Sequence, residues 1–142
     1  MIRAFQERAE QKISGFQSPA ADYLEGRLNI AEKLVVDPHA TFYFKMEGGA
    51  MHSFGIDTGD ILVVDRSLKA CHGAVVIAFI SGSFSCRMYM VSGGESALRN
   101  DSGDVLEKDM SEISIWGVVT AICRGMLPAG LKQGRYRDVC TL

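Results

Sequence analysis

At 142 residues the chain has the size of one domain, long enough for a single core and too short for a second full domain. Apolar residues make up 47% of it and charged residues 23%, with a formal net charge of −2, which argues against wholesale disorder and against tight direct binding to nucleic acid. Cys71, Cys86, Cys123 and Cys140 stand singly, without the paired spacing of a zinc site, and no apolar run reaches the ~20 residues of a membrane span. The chain therefore reads as cytoplasmic, with reduced thiols, no metal, no cofactor and no membrane partner.

Along the chain, Ile2, Phe5, Ala9 and Ile13 recur at helical spacing as far as Gly15, which suits a short docking helix or a mobile arm. Ser18, Pro19, Asp22 and Gly26 then form a turn-rich linker. Asn29 with Glu32 three residues later is an N-cap and its reciprocal partner, and Ile30, Leu34 and Val35 give one apolar face before Pro38, so a short helix is predicted here. From Thr41 the period changes to two, predicting strands at Thr41–Met46, Ile61–Asp65, Ala74–Ile80, Phe84–Val91 and Ile113–Cys123, with a shorter one near Ala97–Arg99. Between two of them, Ile80-Ser81-Gly82-Ser83-Phe84 has the makings of a tight hairpin, with Gly82 free to take positive φ. Near the end, Gly125, Pro128, Gly130 and Gly134 break the pattern where Arg124, Lys132, Arg135 and Arg137 gather, which reads as a loose or partner-ordered tail. The organisation expected is an arm at 1–27, a β domain at 28–125 and a tail at 126–142.

Several segments carry a family resemblance. Gly15-Phe16-Gln17-Ser18-Pro19-Ala20 resembles the stretch that follows the self-cleavage bond in UmuD-type SOS mutagenesis proteins, although Gln17 replaces a proline. Gly48-Gly49-Ala50-Met51, Gly59-Asp60-Ile61-Leu62-Val63-Val64-Asp65, Gly82-Ser83-Phe84 and Ile115-Trp116-Gly117-Val118-Val119 resemble further boxes of the same family, which shares the LexA-like self-cleaving peptidase domain. The resemblance runs from about Gly15 to Ile122. It implies a mainly β, LexA C-terminal-like domain with an N-terminal arm and one short helix, Ser14-Gly15 at the scissile bond, and a homodimer formed through strand edges or the arm.

The resemblance also implies a nucleophilic serine at the position of Ala50 and a general-base lysine at the position of Arg87, with an oxyanion pocket from the amides of Gly49 and Met51. Both side chains of the dyad are therefore replaced. A serine hydroxyl attacks only when a neutral amine takes its proton, and burial lowers a lysine pKa by up to ~3–5 units, far enough to supply that amine. An arginine, starting at ~12.5–13.8, stays protonated through such a shift and offers no lone pair. Alanine removes the attacking atom altogether, so self-cleavage by the family mechanism is not expected. His52, Ser53, His72 and Cys86 are the nearby groups with suitable chemistry to stand in; His52 and Ser53 read as loop residues, His72 as structural, the cysteines as small core or surface residues, and Cys86 points to the face opposite Arg87.

The function implied is that of a UmuD-like accessory protein of error-prone translesion synthesis, partnered by a UmuC-like polymerase, the recombinase filament or a cleavage-competent UmuD homologue in a heterodimer. It would act either as a brake or as a mimic of the cleaved form. The alternative is an autoproteolytic Ser-Lys peptidase whose serine was exchanged for Ala50 to trap the uncut state. A repressor fragment is disfavoured, because Met1–Ser14 is too short for a helix-turn-helix domain.

Overall fold

Period-two patterning over most of the chain becomes a single antiparallel sheet in a computed structural model, which describes residues 29–103, 105–106, 113–128 and 130. The expected arm at 1–27 with its Ser14-Gly15 junction, and all of 126–142 except 126–128 and 130, lie outside the described residues. The chain divides into two units, Met1–Lys33 and Leu34–Leu142. The predicted cap is present: the Oδ1 of Asn29 accepts the amide of Ala31 at 3.0 Å, opening the helix α1 (Ile30–Leu34).

The second unit holds seven strands: β1 (Thr41–Lys45), β2 (Ile61–Asp65), β3 (Val75–Ile80), β4 (Ser83–Ser92), β5 (Glu95–Arg99), β6 (Val105–Leu106) and β7 (Ser114–Cys123). Their order across the sheet is β1-β2-β7-β3-β4-β5-β6, with every pair antiparallel. The first of them stops one residue earlier than its pattern suggested, as Met46 turns to exchange backbone hydrogen bonds with Gly59 and Asp60, both at 2.8 Å. At the β3–β4 hairpin both central residues are left-handed, Ser81 at φ 49° and Gly82 at φ 84°, which matches the right-handed twist of the flanking strands. The β4–β5 turn uses Gly93 and Gly94 in the same way, at φ 60° and 82°. The strand β6 was not anticipated, since two residues carry no periodicity.

Alternation along the strands sends the apolar residues to two faces. Ile77 of β3 and Cys86 of β4 join Leu62, Val64, Met46, Met51 and Ile56 in one buried cluster; Val76 and Ala78 join Leu98 and Ile113 in the other. The first face is concave. Three strands separate β1 from β4, roughly 19 Å in a flat sheet, yet the rings of Phe44 and Phe84 lie 5.4 Å apart. Trp116 of β7 fills the space between, 5.1 Å from both Phe42 and Phe44 and 5.7 Å from Phe84, with the guanidinium of Arg66 4.4 Å above its ring.

Next to Trp116, Gly117 permits a close crossing between β7 and β2. A Cβ there would lie 2.6 Å from the Cγ1 of Val64, a fully buried side chain, and 3.3 Å from the carbonyl oxygen of Asp65. Gly117→Ala is therefore expected to destabilise the domain by about 1–3 kcal/mol through forced strand displacement. A lower urea midpoint with unchanged slope checks it, and an unchanged midpoint would show that the strands give way freely.

Candidate functional site

The loop from Met46 to Asp60 is held by its own backbone and by two distant residues, Asp101 and Arg124. Gly48, at φ 82°, takes a conformation that favours glycine. The Met51 side chain, fully buried, anchors the loop to the concave cluster, while its carbonyl accepts the amides of Phe54 at 3.0 Å and Ile56 at 3.2 Å. These bonds wind the segment into a 3-10 turn at His52–Phe54, closed by Gly55 at φ 81°. From the far side, Asp101 donates its amide to the carbonyl of Ala50 at 2.6 Å and accepts the amide of Ser53 at 2.9 Å. Hydrogen bonding from the Ser53 side chain, with a smaller part from its amide, holds the Asp101 carboxyl below its ordinary range against the opposing effect of burial.

Ala50 is thereby fixed beside a groove of about 330 Å³, walled by Phe44–Glu47 on one side and Phe84–Arg87 on the other, with Leu62 and Ile77 also lining it. Ala50 and Arg87, 37 positions apart in sequence, face the same space. Arg87 donates from Nη1 to the carbonyl of Cys86 at 2.7 Å; its Nε is shielded from water and has no acceptor among the described residues. Cys86 is buried, and that burial pushes its thiol up to about 11, the nearby Arg87 charge offsetting this only in part. At neutral pH the sulfur is a protonated core group, a poor replacement for a nucleophile.

The comparisons with known proteins agree with one another. Residues 10–120 match the family model described as Peptidase S24-like. The chain belongs to the S24-like peptidase family. Among curated proteins it is 39% identical over 114 residues to Protein MucA of Salmonella typhimurium, 78% of each chain. Protein ImpA of Salmonella typhimurium is 37% identical over 116 residues, covering 80% of this chain and 79% of the relative, and Protein SamA of Salmonella typhimurium strain LT2 is 36% identical over 113 residues, 79% of each. The S24-like chain is thus of the UmuD type, with the LexA-like fold expected from its motifs.

Other polar residues of this UmuD-type chain tie its loops and strands together. His72 accepts the amide of Val91 on Nδ1 at 2.9 Å, tying the turn before β3 to β4. His52, exposed, is hydrogen-bonded through Nδ1 to the Oδ1 of Asp57, and that bond, more than the accompanying charge, raises its pKa above the ordinary 6.5. Asp57→Asn should therefore bring the His52 titration, followed by NMR of its ring protons, back towards lower pH; an unmoved midpoint would show that the contact does not persist in solution. The strongest polar feature went unread in the sequence: Arg124, grouped there with the tail, grips the buried Asp60 with Nε on Oδ1 and Nη2 on Oδ2, both at 2.6 Å. Among the described residues no His, Cys, Asp and Glu side chains group as metal ligands, and no helix is long and apolar enough to cross a membrane.

Proposed function

We propose that this UmuD-type protein is a non-cutting regulatory subunit of error-prone translesion DNA synthesis, which keeps the peptide groove of the self-cleaving peptidases and lacks their chemistry. The observation that carries the reading is the pair Ala50 and Arg87 on one groove. These are the positions at which the family resemblance expects the nucleophilic serine and its lysine base, and neither a methyl group nor a guanidinium can perform those steps. The amides of Gly49 and Met51, assigned by resemblance to the oxyanion pocket, have no developing charge to stabilise. Arg87 also weighs against a peptidase trapped by a single replacement at Ala50, because that replacement alone would suffice.

On this reading the chain comprises an arm, 1–27, a β domain, 28–125, and a tail, 126–142. It acts as a homodimer, or as a heterodimer with a competent UmuD homologue, upon a UmuC-like polymerase and the recombinase filament. The purified protein, held at alkaline pH where a lysine base would be most active, should keep its intact mass; an arm released after Ser14 without any helper would overturn the proposal. Mixed with a competent homologue, it should form heterodimers countable by native mass spectrometry, with its own arm cut at Ser14-Gly15 if it docks in the partner's site.

A further inference from the structure

We propose that the outer edge of β1 is a self-docking site, at which two copies of the chain join by antiparallel pairing of Thr41–Lys45 with its twofold mate, the axis passing beside Tyr43. The inference rests on the homodimer of the preceding reading and names the strand that joins it. Two edges end the sheet among the described residues, and they are unequal. One strand, β6, contributes two residues, whereas β1 offers five of strong strand preference, Thr-Phe-Tyr-Phe-Lys, with no proline, glycine or bulge to blunt it. A bare edge of this kind attracts another strand.

The backbone phase fixes the register. The carbonyl of Ala40 accepts the amide of Arg66 at 2.9 Å and the amide of Met46 donates to the carbonyl of Asp60 at 2.8 Å, so the even-numbered residues between them bond inward to β2. The odd ones, Thr41, Tyr43 and Lys45, turn their amides and carbonyls outward, where no strand meets them among the described residues. A twofold axis beside Tyr43 pairs every one of these groups, Tyr43 with the second copy's Tyr43 and Thr41 with its Lys45. Moving the axis to Lys45 sets two ammonium groups opposite each other, and moving it to Thr41 runs the pairing into the turn at 38–40. The side chains agree with the Tyr43 register. On one face Phe42, 43% exposed, lies opposite the second copy's Phe44 in a non-hydrogen-bonded pair, where side chains come closest, and extends the ring contacts that run from Phe84 through Trp116 to Phe42. On the other face Tyr43, 54% exposed, meets its own copy. Each aromatic of β1 thus gains an aromatic neighbour, and the isologous contact closes at two subunits.

The test is amide hydrogen exchange followed by NMR on the full chain at low and at high micromolar concentration, beside sedimentation equilibrium of the same samples. Raising the concentration should slow exchange at the amides of Thr41, Tyr43 and Lys45 and leave those of Phe42 and Phe44, bonded to β2 in either state, as they were. Tyr43→Pro deletes the amide nearest the axis at an edge position that tolerates a missing donor, and should raise the dissociation constant about tenfold or more. Tyr43→Lys, at a side chain already exposed, should weaken the dimer similarly by setting two like charges opposite each other. A chain that stays monomeric at high concentration would overturn both the inference and the homodimer on which it rests, and would leave the edge to a strand of another protein. A dimer that survives both replacements, or whose odd-numbered β1 amides stay unprotected, uses another surface and removes only the inference.

Discussion

Arg124→Met is expected to lower the melting temperature at pH 7 by on the order of 10 °C, more than Asp60→Asn does. Asp60 is 1% exposed and accepts three hydrogen bonds, two from Arg124 at 2.6 Å and one from the Asp57 amide at 2.8 Å. Arg124 also reaches the carbonyl of Gly55 at 3.0 Å and the carboxylate of Asp57 at 3.2 Å, so one side chain joins the end of β7 to the loop that carries Ala50. Methionine keeps much of the bulk and strands a buried carboxylate without its counter-ion, the costly way to break such a pair; asparagine removes the charge itself and still accepts the Asp57 amide.

The same contact sets a pH dependence whose sign can be worked out. The hydrogen bonds from Arg124 hold the Asp60 carboxyl below its ordinary value, against the opposing effect of burial. A group whose pKa is depressed by folding adds stability that is complete above its unfolded value, near 3.9, and is lost as pH falls through the lower folded value. Asp65 and Asp101 are depressed as well, each chiefly by a serine hydrogen bond, so the parent protein should lose stability below about pH 4 from several sites at once. In Arg124→Met the buried Asp60 would favour the protonated form, and its penalty would shrink on acidification. The difference in melting temperature between parent and variant should therefore narrow from pH 7 to pH 4. A constant difference would mean that Arg124 acts through packing alone.

What could be read in the sequence follows from how local each signal is. The strands were legible because alternation needs only neighbouring residues, and Asn29 was legible as a cap because its partner is two positions away. The strand β6, two residues paired with β5, is set by its neighbour and not by its own pattern. The Arg124–Asp60 clamp spans 64 positions and the Asp101–Ser53 bond 48, and nothing beside either residue marks the distant partner. Arg124 follows the last predicted strand directly and was grouped by charge with Lys132, Arg135 and Arg137 further on, although it lies inside the expected domain. Alternation put Phe42 and Phe44 on one face, but the curl that brings Phe44 against Phe84 belongs to the whole sheet. Ala50 is a different case: no physical rule singles out an alanine, and it drew attention only because the surrounding motif resembles one that carries a serine.

On the proposed reading, the double replacement Ala50→Ser with Arg87→Lys is expected to make the chain cut itself after Ser14, while either replacement alone leaves it whole. A hydroxyl without a base is a weak nucleophile, and a base without a hydroxyl has nothing to activate, so the two changes should combine far beyond the sum of their separate effects. The groove supplies the setting, because both positions face it and the Ala50 loop is pinned by Met51 from within and Asp101 from outside. If the introduced lysine is the base, the rate should climb about tenfold per pH unit until its own pKa is passed, since only the neutral amine accepts the proton. Intact-mass kinetics at several protein concentrations would then separate self-cutting, which is independent of concentration, from cutting between protomers of a weak dimer. A double variant that folds like the parent yet stays whole up to pH 10 would show that the groove does not place a peptide bond against position 50.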